Sequence, residues 1–184
     1  MSGELISYRY TRQELRALGM VMNLTLPGLD LPQLTEEDFH HAVDEMERAG
    51  CVVSGDNQLG VDSLTALLLN EISDCATWTR LDSDNGQAAV LWAGAHMYVV
   101  ASFSRISPVS LTPCETGAEA REALEESLNR LELPIYLDGP DDKSAPLPDG
   151  VINTADQTRA ALDSIFAPPD ALTPEVTTPI ENLF

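Results

Sequence analysis

The spacing of apolar residues changes its period near residue 77, and this change constrains the fold more than any other feature. Before it, apolar residues recur every three or four positions, as in amphipathic helices. After it, they alternate in four consecutive segments: Thr77 to Asp82, Ala88 to Ala93, His96 to Phe103 and Ile106 to Leu111. Because such short links join only antiparallel neighbours, these segments predict a β-meander. Helices and strands are segregated along the chain, which indicates the α+β class.

Capping residues predict where the helices begin and end. Thr11 with Glu14, and Thr116 with Glu119, have the spacing of a capping box. Further signals are Thr35 ahead of three acidic residues, Gly50 as a stop, and Asp62 ahead of an apolar stripe from Ser63 to Asp74. We therefore expect three helices before the meander and one after it, ending near Leu131, all packed on one face of the sheet.

The last third of the chain has a different composition. Eight of the twelve prolines lie between Pro134 and Pro179, and residues 132–184 hold ten acidic and two basic side chains. This composition is typical of extended or partly disordered chain. We predict a single domain over residues 1–133 and a Pro-rich acidic extension over 134–184, in which Thr154 to Phe166 has the pattern of one short helix.

The charge balance limits the partners. Thirty acidic residues against ten basic ones give a formal net charge of −20, which repels nucleic-acid phosphate and anionic lipid. The N-terminus lacks a signal-peptide pattern, and no apolar run has the length of a membrane span. Cys51, Cys75 and Cys114 are odd in number and widely spaced, which is typical of reduced thiols. We expect a cytoplasmic protein that binds neither nucleic acid nor membrane.

Motifs for catalysis, metal binding or cofactor binding do not stand out. His40 and His41 are adjacent, so on a helix they point about 100° apart and do not form a zinc pair. There is no G-x-S-x-G elbow, and the glycines match neither phosphate-binding pattern. We predict no metal, no cofactor and no enzymatic activity, although a site assembled from scattered residues stays open as an alternative.

Aromatic residues on the meander indicate a recognition surface. A sheet with helices on one side has a second face that a partner can cover, and Trp92 and Tyr98 suit such a face. The predicted partner-binding residues are Trp92, Tyr98, Val90, Asp84, Asn85 and Gly86. The alternative is that these aromatic residues pack under the extension or the C-terminal helix.

Several segments together resemble the EspG family. They are the run from Tyr10 to Leu15, the strand Gly50 to Val53, the helix Leu64 to Ile72, and the meander from Val90 to Leu111 with its phrase Met97-Tyr98-Val99-Val100-Ala101. EspG proteins are cytosolic chaperones of type VII secretion in actinobacteria, built from two quasi-repeated halves of helices on an antiparallel sheet. They keep a helical PE/PPE-type substrate pair soluble until export. The resemblance covers Leu5 to Leu131, the N-terminal half of that fold.

The second half of the EspG fold is missing and the acidic extension stands in its place. Either one half suffices with a different substrate, or two chains pair through an exposed edge strand to rebuild the full sheet. The resemblance implies a non-enzymatic protein-binding module that holds a helical secretion substrate. The alternative is an acidic DNA mimic or anti-defence inhibitor, for which the net charge of −20 is suitable.

Overall fold

The computed structural model describes residues 4–140 and 150–167. It has the α+β architecture that the change of period predicts, with a large antiparallel sheet and five helices among the described residues. The elements are, in chain order, β1 (Tyr8–Tyr10), α1 (Arg12–Met22), α2 (Glu36–Ala49), β2 (Val52–Gly55), β3 (Gln58–Val61), α3 (Ser63–Ser73), β4 (Thr77–Ser83), β5 (Gln87–Ala93), β6 (Tyr98–Ser104), β7 (Val109–Cys114), α4 (Gly117–Leu128), β8 (Ile135–Asp138), β9 (Val151–Ile152) and α5 (Ala155–Ile165).

The predicted capping residues set the helix boundaries. Thr11, Thr35 and Thr116 each accept a hydrogen bond from the backbone N–H three residues later. The acidic side chain at that position bonds back to the N–H of the threonine, which completes a capping box. Gly50 follows α2 in the left-handed conformation, with φ at 78°. These local predictions are confirmed.

The predicted meander forms the centre of a seven-stranded sheet. Its strand order is β1-β7-β6-β5-β4-β8-β9, and the neighbouring strands are all antiparallel. Strand β1 adds to one edge beside β7, while β8 and β9 add to the other edge beside β4. Strands β2 and β3 form a separate hairpin between α2 and α3.

The helices lie on both faces of the sheet, whereas the sequence analysis places them on one. Val90, Trp92 and Val99 share a buried cluster with residues of α1, α2 and α3. Leu91 and Val100 point the other way, into a second cluster with residues of α4 and α5. The reason is that the central strands are apolar on both sides, so each side needs a helical layer to exclude water.

The folded body continues past the boundary predicted at residue 133. Ile135 is buried in β8 and pairs with Ser83 of β4, so the chain after Pro134 is part of the main sheet. The predicted short helix is confirmed as α5, which buries Ala161 and Leu162. The rest of the predicted disordered extension, residues 141–149 and 168–184, lies outside the described residues. Among the described helices, none has the length and apolar character needed to cross a membrane.

Candidate protein-binding site

Trp92 and Val90, two of the predicted recognition residues, lie in the core. Both side chains are fully buried in β5, on the face that carries α1 to α3. The indole Nε1 of Trp92 donates a hydrogen bond of 2.7 Å to the backbone oxygen of Pro27, so the polar edge of the ring has its partner inside the protein. Neither side chain is exposed, so the structure does not place Trp92 and Val90 on the open sheet face that the sequence predicts.

Tyr98 lies on the opposite face from Trp92. The register of β5 and β6 pairs Trp92 with Val99, which places Tyr98 on the side of α4 and α5. Its half-buried ring is tilted against Phe166, with ring centroids 6.4 Å apart. Tyr98 therefore packs against the C-terminal part of the chain, as the alternative interpretation states. The structure does not bring the two aromatic residues onto one recognition face.

The turn from Asp84 to Gly86 is the part of the predicted site that remains at the surface. Asn85 donates through Nδ2 to the backbone oxygen of Arg130 at 3.0 Å, and its Oδ1 accepts from the N–H of Gln87. Asp84 accepts from the hydroxyl of Tyr136 at 3.3 Å, and its charge raises the pKa of that phenol. The turn thus connects β4 and β5 to β8 and to the end of α4.

A depression of about 340 Å³ lies beside the turn, where α4 stops covering the sheet. Its floor consists of side chains of β1, β6 and β7 and the residues next to them, and one wall is the end of α4. We call it the hydroxyl trough: Ser7, Arg9, Ser102, Ser110 and Thr112 on the floor, with Ser127 and Arg130 on the wall. The sequence patterns do not predict this trough, although Ser110 and Thr112 alternate with the buried Val109 and Leu111.

Two arginines end a row of hydroxyl groups across this floor. Arg9 pairs with Ser110, and Ser110 pairs with Ser102, so the three side chains lie on one face of adjacent strands. Arg130 extends from the end of α4 and places Nη1 3.5 Å from Ser102 Oγ. Because neighbouring strands are about 4.8 Å apart, the floor of the row is about 10 Å wide. One guanidinium stands at each end, with two hydroxyls between them.

A second, more open depression of about 510 Å³ lies on the other side of the β6–β7 turn. Leu31, Pro32, Ile106 and Pro108 give it apolar walls. The side chain of Ile106 is 96% exposed, the most exposed of the large apolar residues in the described chain. Ser107 and Pro108 line both depressions, so this turn separates the hydroxyl trough from the apolar depression.

The arginine at the start of α1 holds this turn in place. Arg12 donates to the backbone oxygens of Ser104 and Arg105, at 2.6 and 3.0 Å. Its guanidinium also lies 5.4 Å from the ring centre of Phe103, within the range of a cation–π contact. The exposed Ile106 is therefore displayed from a fixed backbone rather than from a loose loop.

Glu71 is the buried acidic residue among those that the structure describes. Its carboxylate accepts hydrogen bonds from the backbone N–H of His96 at 3.0 Å and from the ring Nδ1 of His96 at 2.6 Å. Burial opposes ionisation of Glu71, but these bonds, a backbone bond from Met97 and the nearby imidazole outweigh it and lower its pKa. His96 itself is exposed in the link between β5 and β6, so the pair fastens that link to α3 rather than forming an open active site.

We expect replacement of Glu71 with glutamine to reduce the acid sensitivity of the fold. Because the folded pKa of Glu71 is below its ordinary value, its charge stabilises the protein above the unfolded pKa of about 4.3 and ceases to do so as pH falls through the folded pKa. Urea unfolding of both proteins at several pH values measures this. The unfolding free energy of wild type must fall more steeply with acid than that of Glu71→Gln, and parallel curves would contradict the assignment.

The remaining candidates for chemistry are the three cysteines and any side chains that could bind a metal ion. Cys51, Cys75 and Cys114 are free thiols, and burial with the nearby Glu119 raises the pKa of Cys114 to about 11. Within residues 4–140 and 150–167, no three His, Cys, Asp or Glu side chains converge to hold a metal ion.

Comparison of the sequence with protein-family models and with curated proteins finds no match.

Proposed function

We propose that this protein is a non-enzymatic protein-binding module. Its role would be similar to that of a cytoplasmic chaperone that keeps a helical type VII secretion substrate soluble before export. The observation that carries the proposal is the open part of the sheet at the hydroxyl trough. Helix α4 covers β5 to β7 and α5 lies at β9, whereas the trough beside α4 stays open to solvent.

The size of the open part suits a helical partner. An α-helix with its side chains is about 10 Å across, and strands are about 4.8 Å apart, so one helix spans two strands. The floor of the trough crosses β1, β7 and β6, and its wall is the C-terminal end of α4. A partner helix lying there would continue the layer that α4 and α5 begin.

Ile106 gives this surface an apolar contact point. Its side chain is almost fully exposed at the turn between the two depressions. Burying an isoleucine side chain stabilises a complex by about 1.5–3 kcal/mol at most, before the cost of association. A partner helix in the trough would pass close to this turn, and contact with Ile106 would add apolar binding energy to a mostly polar floor.

We expect that filling the trough removes binding of the substrate. In Ser110→Tyr a bulky ring stands on the central floor strand, where aromatic residues are well tolerated. Ser54→Tyr makes the same change at an exposed position of the separate β2–β3 hairpin and is the matched control. The measurement is co-purification of a helical substrate protein from the native cytosol, identified by mass spectrometry. Recovery of that protein with wild type and Ser54→Tyr, but not with Ser110→Tyr, supports the proposal, and equal recovery with all three contradicts it.

The acidic surface of α2 favours a second candidate, an acidic DNA mimic or anti-defence inhibitor. Glu37 and Asp44 are exposed and seven residues apart, so they project from the same side of the helix about 10 Å apart. The charge reversal Glu37→Lys with Asp44→Lys distinguishes the candidates. Loss of binding to a DNA-handling enzyme in this variant, with Ser110→Tyr unaffected, would favour the mimic over the chaperone.

A further inference from the structure

The two arginines of the hydroxyl trough are not held by close ion pairs. Arg80 and Arg121, elsewhere in the protein, each contact a carboxylate oxygen at 2.8 Å. Arg130 reaches Glu126 only at 3.7 Å, and Arg9 forms no ion pair with any described residue. Neither guanidinium of the trough has a carboxylate at hydrogen-bond distance among the described residues, so both have N–H groups that can donate to a ligand.

The groups between these arginines complete a set of donors. Ser110 and Ser102 lie side by side on adjacent strands, between Arg9 at one end and Arg130 at the other. A hydroxyl can donate to an oxyanion, and a guanidinium offers several N–H donors in a planar fork that matches a carboxylate. This row can therefore donate to one oxyanion from both ends and from below.

We propose that the hydroxyl trough binds an acidic side chain of its protein partner, with the carboxylate held between Arg9 and Arg130 and accepting from Ser110 and Ser102. The inference rests on the proposed function and adds the chemistry of the partner, an acidic segment. The open volume of about 340 Å³ admits a side chain and the adjoining backbone of a peptide.

The overall negative charge does not prevent this contact. At physiological ionic strength the Debye length is about 8 Å, so acidic side chains on distant elements are largely screened from a carboxylate in the trough. The acidic residue among those that line the trough is Glu126 on the wall, which lies one helical turn before Arg130 and 3.7 Å from its guanidinium. An incoming carboxylate must compete with Glu126 for Arg130. Removal of the Glu126 charge should therefore strengthen binding.

The test uses a fluorescently labelled helical peptide of alanine and glutamate, and the same peptide with glutamine in place of glutamate. Fluorescence anisotropy at an ionic strength of about 0.15 M gives the Kd of each for the full chain. Wild type should bind the glutamate peptide and not the glutamine peptide. Arg9→Gln with Arg130→Gln should weaken binding of the glutamate peptide by about tenfold or more, since it removes charged hydrogen bonds. Glu126→Gln should lower the Kd.

The control variant is Arg16→Gln with Arg159→Gln, which changes the net charge equally. Both residues are exposed on helices, Arg16 on α1 and Arg159 on α5, and neither lines the trough. This control should keep the wild-type Kd, and thermal melts should show that both double variants are folded. Equal Kd values for wild type and Arg9→Gln with Arg130→Gln, or an equal loss in the control, would overturn the inference.

Inorganic phosphate, which offers the same oxyanion chemistry without a peptide, is the second probe. Displacement of the glutamate peptide by phosphate supports a shared binding site for the two. Binding of phosphate without binding of the peptide overturns the assignment to a protein side chain. The Ser110→Tyr experiment distinguishes failure of the proposed function from failure of this inference. If Ser110→Tyr keeps the substrate, the chaperone role is contradicted. If Ser110→Tyr loses the substrate but the arginine variant binds the peptide normally, only the oxyanion assignment fails.

Discussion

Replacing Trp92 with alanine is expected to lower the unfolding free energy by about 3–5 kcal/mol, as for other large buried aromatic residues. The side chain is fully buried between the sheet and the helices α1 to α3, so its removal leaves a cavity that its neighbours fill only in part. The hydrogen bond to Pro27 is lost as well, which leaves that carbonyl without its indole donor. Urea denaturation followed by far-UV circular dichroism measures the change.

Two further variants separate packing from surface chemistry. Trp92→Phe keeps most of the apolar volume and loses the Nε1 donor with one part of the indole ring, so its loss of stability should be clearly smaller. Tyr136→Ala removes an aromatic ring that is 41% exposed on β8, and its effect should be the smallest of the three. If Trp92→Ala unfolds at the urea concentration of wild type, the burial of Trp92 is wrong and its role as a recognition residue must be reconsidered.

The sequence shows that Val90 and Trp92 share one side of β5 and Ala89 and Leu91 the other, but not that both sides are covered. In Ala88-Ala89-Val90-Leu91-Trp92 every residue is apolar, and every one is buried in the structure. Such a continuous run is typical of a strand with helices on both faces. The order of elements indicates a helix after the meander, but not that α4 crosses to the opposite face. The exposed aromatic face was therefore predicted from a strand that has no exposed face.

Local signals were predicted well because they depend on a few neighbouring residues. Each capping box needs only a threonine and an acidic residue three positions later, whatever the rest of the chain does. Packing of α3 was predicted less well. The apolar stripe predicted from Ser63 to Asp74 includes Leu64 and Leu67, which are 38% and 42% exposed, as well as the buried Leu68 and Ile72. Adjacent leucines such as Leu67, Leu68 and Leu69 point in different directions from a helix, so they do not by themselves indicate which side meets the sheet.

The hydroxyl trough could not be derived from the sequence. It depends on the pairing of β1 with β7, and a three-residue strand does not indicate which other strand it pairs with. Arg9 and Arg130 are brought to one row only by that register and by the position of α4. The available signal was compositional: Ser102, Ser110 and Thr112 face the same side of neighbouring strands, and polar residues on a sheet face indicate that solvent or a partner covers it.

Replacing Gly94 with alanine is expected to lower the unfolding free energy by about 1–3 kcal/mol, the usual cost of overpacking. A Cβ at this position would overlap with Glu71 Oε2 and would lie 2.7 Å from the backbone oxygen of Met97. The carboxylate cannot move away freely, because it is buried and holds the backbone and ring of His96. The backbone of Met97 is equally constrained, since its carbonyl accepts from the N–H of Gly94.

A matched substitution tests whether the contact with Glu71 is the cause. In Gly60→Ala the new Cβ would meet only the oxygen of Val53 at 3.6 Å, an ordinary contact, so this strand glycine should tolerate alanine with little loss. In a Glu71→Ala background the cost of Gly94→Ala should shrink but persist, because the oxygen of Met97 remains. Chemical denaturation of the four proteins of this cycle measures the coupling. Additive effects of the two substitutions would show that Glu71 does not restrict the link between β5 and β6, and the pH dependence assigned to the pair would then need another origin.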